Sequence, residues 1–256
     1  MMKQINILAI GNSFSEDATQ YLHKIAKAEG IDTKVVNLYI GGCSLETHWH
    51  NIEENARLYA YQRDGEATEN YVSIKEALEE EEWDFVVTQQ ASHDSGLQET
   101  YYPYINLLFD YIKEHAPRAE RLLHQTWAYE IDSTHDCFDR YGHDQQEMYR
   151  RLCAAYSRAA GELGVKLIPC GDAVQELRGK QPFIYEKGGM SLCRDGFHMH
   201  YIYGRYLLAA VWYEIILGGN IINNCYIPDT VFAQDEKADI NALNVIKECV
   251  HQKCSA

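Results

Sequence analysis

The sequence predicts an α/β fold in which a parallel sheet is covered by helices on both faces. Short apolar runs, typical of buried strands, alternate along the chain with longer segments whose apolar residues recur at helical spacing. Parallel strands need a crossover connection, usually a helix, so this alternation favours a parallel sheet. No Pro-, Ser- or Gly-rich linker divides the sequence. The simplest organisation is therefore one domain at residues 1–220, with a C-terminal extension at 221–256 that packs on the same domain.

Five strands are predicted from short apolar runs that end at glycine or polar residues. Gly11 ends the first run, and Gly41 and Gly42 follow the second. Their short length favours strands over helices. The predicted strands cover residues 5–10, 34–40, 85–88, 121–126 and 165–168.

Helices are predicted where apolar residues recur every three to four positions. Gly30 closes the first of these segments and Pro117 stops the third, because glycine often follows a helix end and proline cannot continue a helix. The predicted helices cover residues 18–29, 72–80, 104–115, 145–162, 201–217 and 239–251.

In open α/β sheets the ligand crevice lies beyond the carboxyl ends of the strands, so the loops there are the first candidates for a site.

Charge and hydropathy exclude several classes of protein. The chain of 256 residues has 38 acidic and 23 basic side chains, a formal net charge of −15, which argues against a nucleic-acid partner. With 46% hydrophobic residues it has enough apolar surface for a substantial core. No apolar run reaches the roughly 18 residues that span a bilayer, so we expect no membrane partner.

The cysteines and the N-terminus indicate the compartment. None of the eight cysteines forms a close C-x-x-C pair, which argues against a structural zinc site or a thioredoxin-type motif. Met1 leads almost directly into the first strand, which leaves no room for a signal peptide. These features predict a cytoplasmic protein, or a secreted or periplasmic one if a leader is missing from this sequence.

The turn between the first strand and the first helix contains a candidate nucleophile, Ser13. A helix N-terminus offers unpaired backbone N–H groups and the positive end of the helix dipole to a developing anion. An equally simple alternative is that Ser13 or Ser15 only caps the helix. Ser15 stands where a G-x-S-x-G elbow needs glycine, which argues against an ordinary α/β-hydrolase.

A second candidate motif is Asp195, three residues before His198. A carboxylate at this spacing is able to bind one imidazole nitrogen, fix the tautomer and stabilise the imidazolium formed when the other nitrogen takes a serine proton. His198 and His200 are alternatively a metal-binding pair with Asp195, but the other ligands that zinc would need are not clustered in the sequence. No metal and no other cofactor is therefore predicted.

These motifs resemble those of a known superfamily. Residues 7–15 (I-L-A-I-G-N-S-F-S) and 195–198 (D-G-F-H) look like the SGNH (GDSL-like) hydrolases. Residues 41–45 (G-G-C-S-L), 87–92 (V-T-Q-Q-A-S) and 204–207 (G-R-Y-L) are similar to the branch described as DUF4886. The resemblance covers nearly the whole chain. It implies a flavodoxin-like α/β/α sandwich with a five-stranded parallel sheet, and a serine esterase mechanism.

The resemblance also implies roles for individual residues. Ser13 matches the family nucleophile, His198 the base and Asp195 its orienting acid. Gly42 matches the glycine whose N–H joins that of Ser13 in the oxyanion hole, with the adjacent Gly41 as an alternative.

The family's oxyanion-hole asparagine is absent from this sequence. The third predicted strand ends instead at Gln89 and Gln90. The chemistry requires only a preorganised N–H near the oxyanion, so a glutamine amide is able to replace asparagine. We favour Gln89 over Gln90 for this role.

The expected function is that of a serine hydrolase cleaving a small acyl ester, with an acetylesterase acting on carbohydrate esters as the specific expectation. The substrate is then a small-molecule or carbohydrate ester. Two alternatives are a catalytically weak carbohydrate-binding relative and a metal-dependent hydrolase using His198 and His200. Four aromatic residues in predicted loops would form a wall for sugar stacking or, as aromatic residues more often do, pack in the interior. They are Trp127, Tyr129, His48 and Trp49.

Overall fold

The computed structural model describes residues 3–228 and 237–255, and its strands form one seven-stranded sheet. The strands are β1 (Ile5–Gly11), β2 (Thr33–Tyr39), β3 (Tyr59–Arg63), β4 (Glu66–Val72), β5 (Phe85–Thr88), β6 (Glu120–His124) and β7 (Lys166–Ile168). Their order across the sheet is β4-β3-β2-β1-β5-β6-β7.

β1 lies at the centre of the sheet, in parallel pairing with β2 and β5. Ile7 is in register with Val35 on one side and with Phe85 on the other. β6 and β7 continue the sheet in parallel. The prediction of five parallel strands is confirmed. Because the chain leaves β1 toward β2 and later returns to β5 on its other side, the carboxyl end of β1 lies where a ligand crevice forms in such sheets.

The hairpin formed by β3 and β4 was not predicted. It extends the sheet beyond β2 in antiparallel pairing, and its turn places Asp64 and Gly65 at positive φ of 54° and 85°. An Asp-Gly pair is a strong hairpin signal, because both residues tolerate positive φ. The strand pattern was weak because β4 is the edge strand and most of its residues are exposed and polar.

Nine α-helices lie within the described residues, and all six predicted helical segments are among them. The predicted helix at 18–29 is two helices, because the chain breaks at Gln20 and Tyr21 and the first helix already begins at Ser13. The two unpredicted helices, α3 and α7, are short. The helices are α1 (Ser13–Thr19), α2 (Leu22–Ala28), α3 (Leu45–Glu53), α4 (Ile74–Glu80), α5 (Tyr104–His115), α6 (Gln145–Leu163), α7 (Cys170–Leu177), α8 (Tyr203–Leu217) and α9 (Ile240–Cys254).

The helices flank the sheet and complete the predicted three-layer sandwich. α8 contacts α1, α2, α7 and α9, whereas α5 contacts α3 and α4. α8 is buried from Tyr203 to Tyr213, as expected for a helix enclosed on all sides.

The predicted C-terminal extension contributes α9, which packs on α7 and α8. Its Ile246 and Val250 are fully buried, and Nδ1 of His251 lies 3.0 Å from a carboxylate oxygen of Glu214 on α8. Residues 229–236 and 256 of this predicted extension, and residues 1–2 of the predicted domain, lie outside the described part of the chain. No helix within the described part is both long and apolar enough to cross a bilayer.

Candidate active site

Ser13, Asp195 and His198 are joined by hydrogen bonds at the carboxyl end of β1. Oγ of Ser13 lies 2.9 Å from Nε2 of His198, and Nδ1 of His198 lies 2.7 Å from Oδ2 of Asp195. The structure thus brings together the three residues in which the sequence predicted nucleophile, base and orienting acid. Such an arrangement can move a proton from the hydroxyl to the imidazole while the carboxylate stabilises the resulting positive charge.

The carboxylate of Asp195 is fixed by its own loop. Its Oδ1 accepts hydrogen bonds from the backbone N–H groups of His198 at 2.8 Å and of Phe197 at 3.3 Å. Burial raises the pKa of Asp195, but hydrogen bonds from the ring and the backbone N–H of His198 lower it by more, so the pKa of Asp195 lies below its ordinary value. The ionised carboxylate favours the tautomer with a proton on Nδ1, which leaves Nε2 to accept from Ser13.

The glycine of this loop permits the close approach of a neighbouring segment. Gly196 has a φ of +85°, and a Cβ atom there would lie 3.0 Å from Cα of Ser133. Its carbonyl oxygen accepts a 2.7 Å hydrogen bond from the N–H of Glu130. A larger residue at position 196 would push the loop that carries Asp195 and His198 (residues 194–199, the triad loop) away from Glu130 and Ser133.

Asn12, rather than a serine, caps the helix that begins at Ser13. Oδ1 of Asn12 accepts a 2.9 Å hydrogen bond from the N–H of Phe14. Ser15 is buried, with Oγ donating to Oδ1 of Asn37 at 2.6 Å and accepting from the N–H of Asn12 at 3.0 Å. Of the two serines in the motif, Ser15 supports the turn, and the hydroxyl of Ser13 is left to face His198.

Gly42 lies in the exposed turn after β2, with a φ of +63°. Nδ2 of Asn12 donates a 3.0 Å hydrogen bond to the carbonyl oxygen of Cys43, which ties this turn to the residue preceding Ser13. Within the described residues, no acceptor is bonded to the N–H of Gly42. The turn therefore has an unbonded backbone donor and is joined to the residue before Ser13, and the role of Gly42 in an oxyanion hole stays a prediction.

Gln89 directly follows β5 and lies against the turn that carries Ser13. Its side chain is buried, and Nε2 donates a 2.9 Å hydrogen bond to Oδ1 of Asn12. This is the one hydrogen bond formed by Nε2 in the described part of the chain, so its second N–H remains available. Oε1 of Gln89 is buried without a described partner.

The amide of Gln90, by contrast, is fully used to hold the surrounding loops. Oε1 accepts from the backbone N–H groups of Leu45 at 3.0 Å and Ala91 at 2.8 Å. Nε2 donates to the carbonyl oxygen of Thr100 at 3.0 Å and to its hydroxyl at 3.1 Å. These contacts give Gln90 a structural role. The role of Gln89 in an oxyanion hole stays a prediction.

The interpretation of the four aromatic residues as a sugar-stacking wall in loops is wrong for three of them, and His48 and Trp49 lie on α3 instead of in a loop. Trp127, Tyr129 and His48 are each fully buried, and Trp49 is half-buried. Trp127 stacks on Phe14 with ring centroids 4.0 Å apart and donates from Nε1 to the carbonyl oxygen of Phe197 at 2.7 Å. The ring of Trp127 therefore supports the residues next to Ser13 and His198 and does not face a ligand.

Sequence reasoning missed the half-buried rings beside His198. The ring of Phe197 lies 4.2 Å from that of His198, His135 packs edge-on against Phe197 at 4.8 Å, and His93 stacks on His135 at 6.3 Å. Burial lowers the pKa of both His93 and His135, which favours neutral rings at pH 7. The rings come from three separate loops, so no local spacing in the sequence indicated this surface.

The geometry does not favour the metal alternative. Both ring nitrogens of His198 are engaged, one with Ser13 and one with Asp195. Nδ1 of His200 accepts from the backbone N–H groups of Ile202 and Tyr203 at the start of α8. Across residues 3–228 and 237–255, no group of three or more His, Cys, Asp or Glu side chains is arranged to hold a metal ion.

Known proteins share this sequence pattern and fold. Residues 6–245 match the family described as "Domain of unknown function (DUF4886)". A DUF4886 family protein from Bacteroides uniformis is 38% identical, with a TM-score of 0.88 over 98% of this chain and 94% of that one. Among proteins of curated function, none matches the sequence.

Two more distant structures share the fold. A protein from Slackia heliotrinireducens that is assigned to the SGNH hydrolases is 22% identical, with a TM-score of 0.56 over 84% of this chain and 100% of that one. A catalytic mutant of Axe2, an acetylxylan esterase from Geobacillus stearothermophilus, is 14% identical, with a TM-score of 0.52 over 84% of this chain and 95% of that one.

Proposed function

This chain belongs to the DUF4886 family, which has the fold of the SGNH hydrolases, and we propose that it is a serine hydrolase that cleaves a small acyl ester. One observation carries the proposal: the continuous hydrogen-bonded series from Oγ of Ser13 through His198 to Asp195. The series lies at the carboxyl edge of the parallel sheet, where ligands bind in folds of this class.

In the proposed reaction, Nε2 of His198 takes the proton of Ser13 as Oγ attacks the acyl carbon. Asp195 stabilises the imidazolium that forms. The tetrahedral intermediate then collapses, the alcohol leaves with the proton from His198, and the acyl group stays on Ser13. A water molecule, deprotonated by His198, releases the acid and restores the hydroxyl.

The proposed oxyanion hole consists of the N–H groups of Ser13 and Gly42 and the Nε2–H of Gln89. The first turn of α1 contributes because its N–H groups lack intrahelical acceptors and lie at the positive end of the helix dipole. One such donor typically contributes about 10²- to 10³-fold to kcat.

We propose acetyl esters of carbohydrates as the substrate. The side chains of His198 and Asp195 are 23% and 42% exposed, so a bulky alcohol can remain in solvent while a small acyl group reaches Ser13. The likeness to an acetylxylan esterase supports this choice, and the net charge of −15 disfavours anionic polymers.

Labelling with a fluorophosphonate tests the proposal. Because Oγ of Ser13 displaces fluoride from the probe, the metal-free protein should gain the mass of one probe molecule less HF, and peptide mapping should place the phosphonyl group on Ser13. Ser15→Ala should still be labelled, because this buried neighbour supports the turn only, and Ser13→Ala should not.

Two results would contradict the proposal. Ester hydrolysis that depends on added metal, without labelling, would favour the metal-dependent alternative. Absence of both labelling and hydrolysis, with measurable binding of sugars, would favour the carbohydrate-binding relative.

A further inference from the structure

Asp17 is a fully buried carboxylate on the helix that begins at Ser13. It lies four residues, about one helical turn, after Ser13. Its exposed fraction is 0%, and its Oδ2 accepts a 2.8 Å hydrogen bond from the backbone N–H of Met199. Because Met199 directly follows His198, this bond attaches the loop of the base to the helix of the nucleophile.

Two arginines supply the charge that a buried carboxylate requires. Nη1 of Arg194 lies 3.0 and 3.1 Å from the two oxygens of Asp17, and Nε of Arg205 lies 2.7 Å from Oδ1. A carboxylate without such partners would be costly to remove from water. Asp17 is thus more than a favourable acidic residue in the first turns of a helix, which is all that its position in the sequence indicates.

Both arginines also bind the elements that flank the triad. Nη1 of Arg205, at the start of α8, donates to Oε1 of Gln20 at 3.0 Å. Arg194 lies in the triad loop itself, and its Nη1 donates to the carbonyl oxygen of Met199. The hydrogen bonds of Asp17 and its two arginines therefore join α1, α8 and the triad loop.

Two further hydrogen bonds anchor the triad loop to the segment after β6, whose Trp127 also stacks on Phe14 of α1. Nε1 of Trp127 donates to the carbonyl oxygen of Phe197, and the backbone N–H of Glu130 donates to the carbonyl oxygen of Gly196. Both bonds attach the loop to the segment after β6. They fix the loop on the scaffold, but the separation between His198 and Ser13 also depends on what joins the loop to α1.

We infer that Asp17 is a positioning residue for the proposed reaction, held in place by Arg194 and Arg205. By binding the N–H of Met199 it keeps Nε2 of His198 within hydrogen-bonding distance of Ser13. The inference rests on the proposed function. A displacement of about 1 Å at reacting groups is enough to cost about 10²-fold in rate, so loss of this anchor should appear in catalysis.

Asp17→Asn tests the inference, because it keeps the shape of the side chain and removes its charge. With an acetyl ester, kcat should fall about 30- to 100-fold. KM should change less than about threefold, because the side chain of Asp17 is fully buried and out of reach of a bound ester. The rate of fluorophosphonate labelling at Ser13 should fall in parallel with kcat, in protein whose circular dichroism is unchanged.

Arg205→Lys provides a second variant should Asp17→Asn fail to fold. Lysine keeps the charge but loses the planar fork that binds Asp17 and Gln20 together. It should lower kcat by a smaller factor, about fivefold to tenfold, again with little change in KM.

Asp172→Asn is the matched control. Asp172, on α7, accepts hydrogen bonds from Gln125, Tyr149 and Cys153, so its loss also disturbs a carboxylate network. It should lower the melting temperature and leave kcat within twofold. If Asp17→Asn folds, the inference is wrong when its kcat equals that of wild type. If Asp17→Asn does not fold, the same criterion applies to the kcat of Arg205→Lys. The inference is also wrong if Asp172→Asn loses as much kcat. Hydrolysis retained in Ser13→Ala would instead refute the proposed function.

Discussion

Nε2 of Gln89 donates a 2.9 Å hydrogen bond to Oδ1 of Asn12, the residue that precedes Ser13. The same oxygen of Asn12 caps α1 by accepting from Phe14. The amide of Gln89 is therefore fixed beside the turn that carries Ser13, because Asn12 itself is held in place as the helix cap. A fixed amide with one N–H to spare is the type of donor that stabilises an oxyanion without reorganisation.

Replacing Gln89 with alanine should impair catalysis more than binding. If its second N–H stabilises only the transition state, Gln89→Ala should lower kcat by about 10²- to 10³-fold, roughly 2.7 to 4 kcal/mol, with little change in KM. Steady-state kinetics on one acetyl ester measure both constants.

Gln90→Ala is the control for this prediction. Its amide binds Leu45, Ala91 and Thr100, so its loss should lower the free energy of unfolding by about 1 to 3 kcal/mol and have the smaller effect on kcat. A severe kinetic defect in Gln90→Ala alone would transfer the role to Gln90. Normal kcat in both variants would mean that backbone groups suffice.

The carboxylate of Asp195 should act as an ionised orienting group throughout the neutral range. Its pKa lies below the ordinary value, so its contribution to stability is present above the unfolded pKa of about 4 and is lost as the pH falls through the lower folded pKa.

His198→Ala should lower kcat by about 10⁴- to 10⁶-fold, and Asp195→Asn should lower it by less. Activity that survives in His198→Ala but is lost on chelation would contradict these roles.

Buried His124 should make the protein less stable in mild acid. Nε1 of Trp212 donates to its Nδ1 at 2.8 Å, and burial lowers the pKa of His124 to about 3. Between pH 6.5 and pH 3 the unfolded chain therefore binds a proton that the folded chain does not. The free energy of unfolding should fall with pH in this window, by as much as about 1.4 kcal/mol per pH unit for this group.

His124→Asn isolates this contribution, because the amide oxygen can accept the same hydrogen bond from Trp212. Urea unfolding between pH 6 and pH 4 should give a shallower dependence of stability on pH than in wild type. An unchanged slope would show that His124 is not the group that titrates on unfolding.

Ser15→Ala should affect stability, since its hydroxyl bridges Asn12 and Asn37 inside the protein. We expect the free energy of unfolding to fall by about 1 to 3 kcal/mol. Thermal unfolding measures this loss, and the residual folded protein should still react with the fluorophosphonate. Loss of labelling in a fully folded Ser15→Ala would contradict the assignment of Ser13.

The parallel half of the fold was predictable because its strands are buried on both faces and read as continuous apolar runs. β1 is the clearest example, with Ile7 to Ile10 buried. β4 was missed because an exposed edge strand carries polar residues on both faces. α7 was missed because it follows β7 almost at once and because Pro169 and Gly171 at its start are residues typical of turns.

The site was predictable only where its residues lie in compact motifs. Ser13 and the pair Asp195 and His198 stand in such motifs. The bond between Asp17 and Arg205 joins residues 188 positions apart, and each residue alone looks like an ordinary surface charge. The burial of Trp127 depends equally on tertiary packing, which spacing in the sequence does not reveal.

The most direct test of the account is the turnover of nitrophenyl acetate by Ser13→Ala beside wild type. Ser13 is half-buried and the hydroxyl-to-methyl change removes only one oxygen atom, so the melting temperature should stay close to that of wild type. Loss of the nucleophile should lower kcat by about 10⁴- to 10⁶-fold. A folded Ser13→Ala protein with activity within about tenfold of wild type would contradict the assignment of this chain as a serine hydrolase, since removing a nucleophile costs far more than that.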